Sequence, residues 1–530
     1  MKPRTAPRRL SATAKRLLDQ YAPRIDAAAA RVYSVASLSP LMEAPKLSAR
    51  LGNRVILKRE DLQPVHSFKL RGAYNCIAAL DAETRGRGVI CASAGNHAQG
   101  VALAGQRLGI PAWIVMPRTT PPIKVDSVRA LGGKAILHGD AFDDARDHAE
   151  ALADERGMTM IPPYDHPDVI AGQGTVGREI LSQIAPLGIE RLDAVFVCTG
   201  GGGLLAGVAA AIKRASPSTL VISVEPDDSD CMAAALDAGR RVSLEQVGLF
   251  ADGVAVKKAG AEPFRLAKEL VDGWIRVSVD EICAAIRDVF NEHRAVPEPA
   301  GALAVAGVKR WVADRGEKGK TYCAIVSGAN VNFDRLRHIA ERAELGDEAE
   351  GLLAVTIPEA PGSFRNFLKR IGRRVVTEFN YRYSSASAAH IFAGIKLSDG
   401  HVERDAIIAD LREHGFAVTD MTGNEMAKLH IRFMVGGRAP GLANERVFRF
   451  EFPERPGALS QFLDAIGGRW NISMFHYRNH GAANGRVLCG LQIPSRERAE
   501  FKRSLDALGY PYWEETNNRS YELFLGTNGG

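Results

Sequence analysis

Lys69 stands in the run Ser67-Phe68-Lys69-Leu70-Arg71-Gly72-Ala73, shortly after Lys58-Arg59-Glu60-Asp61. A lysine of ordinary pKa is nearly all ammonium at neutral pH and cannot attack a carbonyl. Desolvation beside an apolar or cationic neighbour lowers that pKa and makes the amine a nucleophile. Phe68 and the Arg71-Gly72 pair are neighbours of that kind, so Lys69 is the candidate for Schiff-base chemistry. Most lysines are plain surface residues, and two further motifs set this one apart. Gly200, Gly201, Gly202 and Gly203 run consecutively into Leu204. Without Cβ atoms their N–H groups can converge on one anion, and a helix starting at Leu204 turns its positive end the same way. No G-K-[ST] ending follows, which argues against a nucleotide P-loop. The other motif is Ser93-Ala94-Gly95-Asn96-His97. Its hydroxyl, backbone amides and Asn96 side chain suit a carboxylate and a phenolic oxygen, although Ser and Asn also cap helices. Ser327-Gly328-Ala329-Asn330 reads by itself as a turn.

The elements around these motifs are short β-branched runs alternating with alanine-rich helical stretches. Expected strands are Val55–Lys58, Val89–Cys91, Trp113–Met116, Ala135–Leu137, Ala194–Cys198, Val221–Val224 and Cys323–Val326, with helices such as Gly100–Leu108 and Leu204–Ala215 between them. Such alternation implies parallel sheets covered on both faces. Ligands in these folds bind beyond the carboxyl ends of strands, and each motif falls just there. A nucleophilic amine, a polar loop and a phosphate cradle in that setting point to pyridoxal phosphate, carried on Lys69.

The chain has 530 residues, 46% of them hydrophobic, enough for more than one domain. Its net charge of +6 is the small difference between 68 basic and 62 acidic residues, which argues against a nucleic-acid surface. Seven scattered cysteines without a C-x-x-C pair fit reduced thiols in a cytoplasm and no metal site. Ala194–Ile212 carries no charge over nineteen residues, near the length of a membrane span, yet it holds five glycines. It reads as strand, turn and buried helix, so no membrane contact is expected. Lys2, Arg4, Arg8, Arg9, Lys15 and Arg16 make the N-terminus basic and acid-free, the look of an exposed arm or of an organelle import signal. The arm is the preferred reading.

Beyond a charged linker around residues 340–350 the sequence repeats. Leu352–Phe364 aligns with Val447–Leu459 at an offset of 95 residues, Pro361-Gly362 falling on Pro456-Gly457. After one added residue Phe379-Asn380-Tyr381-Arg382 matches Phe475-His476-Tyr477-Arg478. Each copy reads strand, turn, helix, strand, the start of a small α+β module.

These motifs resemble those of the fold type II pyridoxal-phosphate enzymes. Within that class they are most similar to the biosynthetic threonine deaminases (threonine ammonia-lyases or threonine dehydratases), from about Ala30 onward and including the repeat. The resemblance implies an α/β, tryptophan-synthase-β-like catalytic domain of parallel sheets covered by helices, with two C-terminal α+β ACT-like modules. The expected divisions are a basic arm at 1–25, the catalytic domain at 26–345, and regulatory modules at 350–424 and 445–519. Lys69 would be the Schiff-base lysine behind Phe68, and Asn96 would meet the cofactor ring oxygen. Gly200–Leu204 would bind its phosphate, and Ser327 would face its pyridine nitrogen. Ser93, Ala94, Gly95 and His97 would hold the substrate carboxylate. Tyr381 and Tyr477 fall where the family binds its effectors, isoleucine as inhibitor and valine as its opponent. The implied activity is deamination of L-threonine to 2-oxobutanoate, and of L-serine to pyruvate, by a cytoplasmic homotetramer. Catabolic serine/threonine dehydratases and serine racemases share the core motifs but lack the doubled module. A catalytically dead amino-acid sensor and a β-replacement enzyme are the remaining alternatives.

Overall fold

The computed structural model describes residues 10–372, 374–383, 388–434, 436–439, 441–453, 458–466, 469–478, 484–518, Tyr521 and Leu525. The chain divides into two compact units, Met1–Ala343 and Glu344–Gly530.

The first unit holds two sheets. The larger runs in the order Leu41–Glu43, Arg54–Arg59, Thr321–Val326, Ala194–Cys198, Leu220–Pro226, Gly273–Val277. Its neighbours pair in parallel except at the Leu41–Glu43 edge, which is antiparallel. The four-stranded sheet orders Lys134–Leu137, Ala112–Met116, Val89–Ala92, Thr159–Met160, all parallel. Every residue of Ala194–Cys198 and Leu220–Pro226 is buried, as a central strand covered on both faces requires. Leu41–Glu43, Thr159–Met160 and Gly273–Val277 lie outside the strands expected from sequence. The first two have three and two residues, and the last carries an exposed arginine, so none shows an uninterrupted apolar run.

The exposed-arm reading of residues 1–25 is corrected for its second half. Ala12–Val32 is a helix whose Ser11 cap accepts a hydrogen bond from Ala14 N at 2.9 Å. Ala14, Leu17, Leu18, Tyr21, Ile25, Ala28 and Val32 form its buried stripe at helical spacing. Lys15 and Arg16 occupy its exposed face, so their charge marks one side of a core helix. Met1–Arg9 lie outside the described residues.

Helix Pro167–Gln183 ties the motif-bearing elements together through glycine. A Cβ on Gly172 would stand 2.6 Å from Arg71 O and 2.7 Å from Gly72 Cα, and one on Gly207 would stand 2.3 Å from Ile170 O. Only bare backbones permit that approach. The helix therefore touches both Lys69–Ala78, which carries the candidate lysine, and Gly203–Ala215, which follows the glycine run.

The second unit forms one eight-stranded antiparallel sheet in the order Ala417–Asp420, Glu350–Pro358, Ala388–Lys396, Val376–Arg382, Asn471–Arg478, Asn484–Gln492, Glu445–Pro453, Tyr512–Glu514. Each repeat contributes four strands, and completes itself with a second helix, Gly400–Glu413 or Arg498–Leu508. The copies meet along Val376–Arg382 and Asn471–Arg478, where Tyr381 pairs with Phe475 and Phe379 with Tyr477. Asn380 pairs with His476, its own counterpart in the repeat. The seam is thus locally two-fold. The second copy's Pro456-Gly457 turn lies outside the described residues.

Among the described residues no helix is long and apolar enough to cross a membrane.

Candidate active site

Lys69 opens the helix Lys69–Ala78, and a buried ionic network sets that helix in place. Arg71, fully buried, donates from Nε and Nη2 to Glu60 at 2.7 and 2.8 Å and from Nη1 and Nη2 to Glu179. Lys58 Nζ completes it, reaching Glu179 and, at 2.7 Å, Ser39 O. Burial pushes the Glu60 pKa up, but the Arg71 guanidinium overrides it and holds the carboxyl below its ordinary range. The loop before the lysine is fastened as well. Phe68 N donates to Ser327 O at 3.2 Å and Ala329 N to His66 O at 2.9 Å, so the Ser327–Asn330 turn is stitched to the lysine motif.

Phe68, Lys69, Asn96, Gly200–Leu204 and Ser327 line one cavity. Residues scattered over some 260 positions of sequence therefore share one wall. Lys69 Nζ donates to Pro163 O at 2.9 Å, and burial brings its pKa down to about 8. Near pH 8 a large share of the amine is neutral and nucleophilic. The glycines form a cradle. Gly202 caps helix Gly203–Ala215 at φ +94° without any side-chain capping bond, which leaves the first amides of that helix to another acceptor. A Cβ on Gly201 would enter the Tyr164 ring at 2.3 Å, and one on Gly202 would meet Met232 Cε at 2.3 Å. Uncapped amides, a cradle no side chain can enter and a facing amine of lowered pKa fit pyridoxal phosphate. Gly201→Ala is expected to displace Tyr164 and weaken cofactor binding by about a hundredfold, the loss of roughly two phosphate hydrogen bonds. Cofactor titration of the apoprotein measures it.

Ser93, Ala94 and Gly95 are half-buried and do not line the cavity. Gly95 N donates to Ser93 Oγ at 3.3 Å, and helix Asn96–Leu108 starts uncapped by any side chain. His97 departs from its expected role. Its Nε2 donates to Ile161 O at 2.8 Å within the core, and burial, reinforced by the Lys69 charge, brings its pKa down to about 3. A neutral ring spent on a backbone carbonyl is a structural prop. Sequence reasoning missed Glu298, a buried acid on the cavity wall that accepts from Asn96 Nδ2 at 2.6 Å. It left Asn330 as a turn residue, yet Asn330 Nδ2 donates to Asn96 Oδ1 at 2.6 Å. An acid set between Pro297 and Pro299 in an apolar stretch was the available signal. Cys198, also on the wall, has its thiol pushed up to about 11 by burial.

In the second unit Tyr381 is buried and its hydroxyl donates to Glu359 of the same copy. Glu359 also accepts from Asn471 Nδ2 of the other copy at 2.9 Å. Tyr477 is equally buried in the facing strand.

Comparison with known proteins agrees with this geometry. Residues 35–328 match the model of the pyridoxal-phosphate-dependent enzymes, and 341–431 and 436–525 each match that of the C-terminal regulatory domain of threonine dehydratase. The biosynthetic L-threonine dehydratase of Burkholderia multivorans is 54% identical over 94% of this chain and 97% of that protein. The biosynthetic chloroplastic threonine dehydratase 1 of Solanum lycopersicum is 50% identical over 93% of this chain and 81% of its own length. The solved structure of the processed threonine deaminase isoform 2 from Solanum lycopersicum aligns with TM-score 0.61 at 47% identity, covering 65% of this chain and 93% of that one. The chain belongs to the pyridoxal-phosphate-dependent enzymes, in the family of biosynthetic threonine dehydratases with a doubled C-terminal regulatory domain.

Proposed function

We propose that the protein converts L-threonine to 2-oxobutanoate and ammonia, and L-serine to pyruvate, as the committed step of isoleucine synthesis. The observation that carries this reading is the Lys69 amine, its pKa brought to about 8, facing an uncapped glycine cradle across one cavity. When bound, pyridoxal phosphate supplies an electron sink for charge developing at the substrate Cα. The amides of Gly200–Leu204 hold its phosphate, with the positive end of helix Gly203–Ala215 behind them. Asn96 would orient the ring through the ring oxygen, and Phe68 would wall it. Lys69 Nζ would hold the cofactor and, once free, would serve as the base for the substrate Cα proton. Ser327, on the cavity wall, would stand at the pyridine nitrogen. A hydroxyl there, unlike a carboxylate, would not hold a proton on that nitrogen, a setting that suits loss of the β-hydroxyl over transamination. Ser93, Ala94 and Gly95, ahead of an uncapped helix, receive the substrate carboxylate.

In this reading the first unit, its helix Ala12–Val32 included, catalyses, and modules 350–424 and 445–519 bind isoleucine as inhibitor and valine as its antagonist through Tyr381 and Tyr477. The enzyme works as a homotetramer in the cytoplasm, a setting that suits its seven buried free thiols. Release of 2-oxobutanoate from threonine, measured alone, with isoleucine, and with both amino acids, tests the whole reading. Turnover that isoleucine suppresses and valine restores is expected. Turnover indifferent to isoleucine would overturn the regulatory assignment, and absence of turnover on both substrates would overturn the catalytic one.

A further inference from the structure

The side chains around Asn96 form a chain of hydrogen bonds whose direction is decided at one end. Val65 O can only accept, so the Asn330 atom 2.9 Å away must be the amide nitrogen. That nitrogen's second hydrogen meets Asn96 at 2.6 Å, which makes the Asn96 atom there Oδ1. Asn96 Nδ2 is then the donor to Glu298 Oε1 at 2.6 Å, with one N–H left over. Glu298 is 4% exposed, lines the cavity, and also accepts from the Asn330 backbone amide. There is no spare room around it, since a Cβ on Gly328 would stand 2.5 Å from Glu298 Oε1.

We propose that Glu298 is the positioning residue of the cofactor site, fixing the free Asn96 N–H on the cofactor ring oxygen and holding a proton of its own while that oxygen is bound. This rests on the reading that Asn96 meets the ring oxygen. The physical reason is simple. With Glu298 ionised, the two hydrogens of one amide nitrogen would be shared between two anions, the carboxylate and the ring oxygenate. Protonating Glu298 on Oε2 removes that conflict and leaves Oε1 as acceptor. The surroundings already favour the neutral acid. Burial, with Asp252 adding to it, pushes the Glu298 pKa up to about 7, against the pull of Asn96, Lys124 and the Asn330 amide. Lys69 and Cys198 are the other titratable groups that feel its charge.

The test compares wild type, Glu298→Gln, Glu298→Ala and Asn96→Ala, reading proton uptake on adding pyridoxal phosphate to apoprotein, cofactor affinity, and the visible absorbance of the loaded protein from pH 6 to 9. Wild type is expected to take up close to one more proton than Glu298→Gln when loaded at pH 8. Glu298→Gln keeps the neutral acceptor and retains affinity within about threefold, whereas Glu298→Ala, which frees the Asn96 amide to turn, loses about tenfold. Equal proton uptake by wild type and Glu298→Gln, or wild-type affinity and absorbance in Glu298→Ala, would overturn the proposal. Asn96→Ala separates the underlying reading: if it leaves affinity and absorbance unchanged, Asn96 does not meet the ring oxygen. Should Glu298→Ala fail to fold, the Glu298→Gln proton count decides alone.

Discussion

Lys69→Ala is expected to lower threonine turnover by at least about 10⁴-fold, because in the proposed mechanism one side chain serves as both covalent anchor and Cα base. The loss should be chemical and not structural. Lys69 sits at the first position of its helix, and its hydrogen bond runs to Pro163 O, an acceptor at the cavity edge. Truncation leaves the Arg71 network beneath it whole. The thermal midpoint of the apoprotein should therefore stay close to wild type while the visible absorbance of the loaded protein disappears. Lys69→Arg sharpens the result, since a guanidinium stays protonated at any working pH and neither attacks a carbonyl nor takes a proton. Its turnover should be as low as that of the alanine variant. A Lys69→Ala protein retaining a tenth of wild-type turnover would remove Lys69 from the mechanism.

Arg71→Met is expected to have the largest effect on stability, about 3–5 kcal/mol for the first unit. Glu60 and Glu179 are both buried, and Arg71 donates to each of them. With Arg71 gone, Lys58 remains as a direct partner of Glu179, and Glu60 is left facing the core without its guanidinium. Replacing the whole network by apolar groups could be neutral; removing one cation from its middle is not. Thermal or urea unfolding measures the loss, and a shift below about 1 kcal/mol would show that the network relaxes around the gap. The variant should also respond differently to acid. The folded-state pKa of Glu60 lies below its ordinary 4.5, so its contribution is fully present above that pH and fades as the pH falls further. Arg71→Met abolishes that contribution at every pH.

Much of the candidate site was legible because it is built from contiguous runs. Lys69 with Phe68, and the four glycines before Leu204, are each a motif of a handful of residues that the fold brings to one cavity, and the strand Ala194–Cys198 ahead of the glycines is apolar throughout. Glu298 and Asn330 were not legible for the opposite reason. Each is a single polar residue whose partner, Asn96, lies more than 200 positions away, and only the folded sheets bring them together. His97 was misjudged because adjacency in a loop says nothing about direction: entering the helix at Asn96 turns the next side chain inward, to Ile161. The first helix was misjudged because its alanine-diluted stripe is weak and its exposed face is basic. The repeat was visible as identity of pattern, but the second helix and fourth strand of each copy carry no such identity and appeared only on folding.

The seam between the repeats has a consequence for how such a regulatory unit can diverge. A strand that pairs with its own counterpart about a local two-fold is the interface of a symmetric homodimer, here enclosed within one polypeptide. In a true homodimer every substitution appears twice, so the two binding faces stay identical. Covalent fusion keeps the partners at high effective concentration and lifts that constraint. The chain has used the freedom: Asn471, which reaches across the seam to Glu359, has Val375 as its counterpart in the first copy, a side chain that can form no such bond. Duplication thus leaves two corresponding faces that can be tuned separately, a freedom that the proposed opposition of two amino-acid effectors would use.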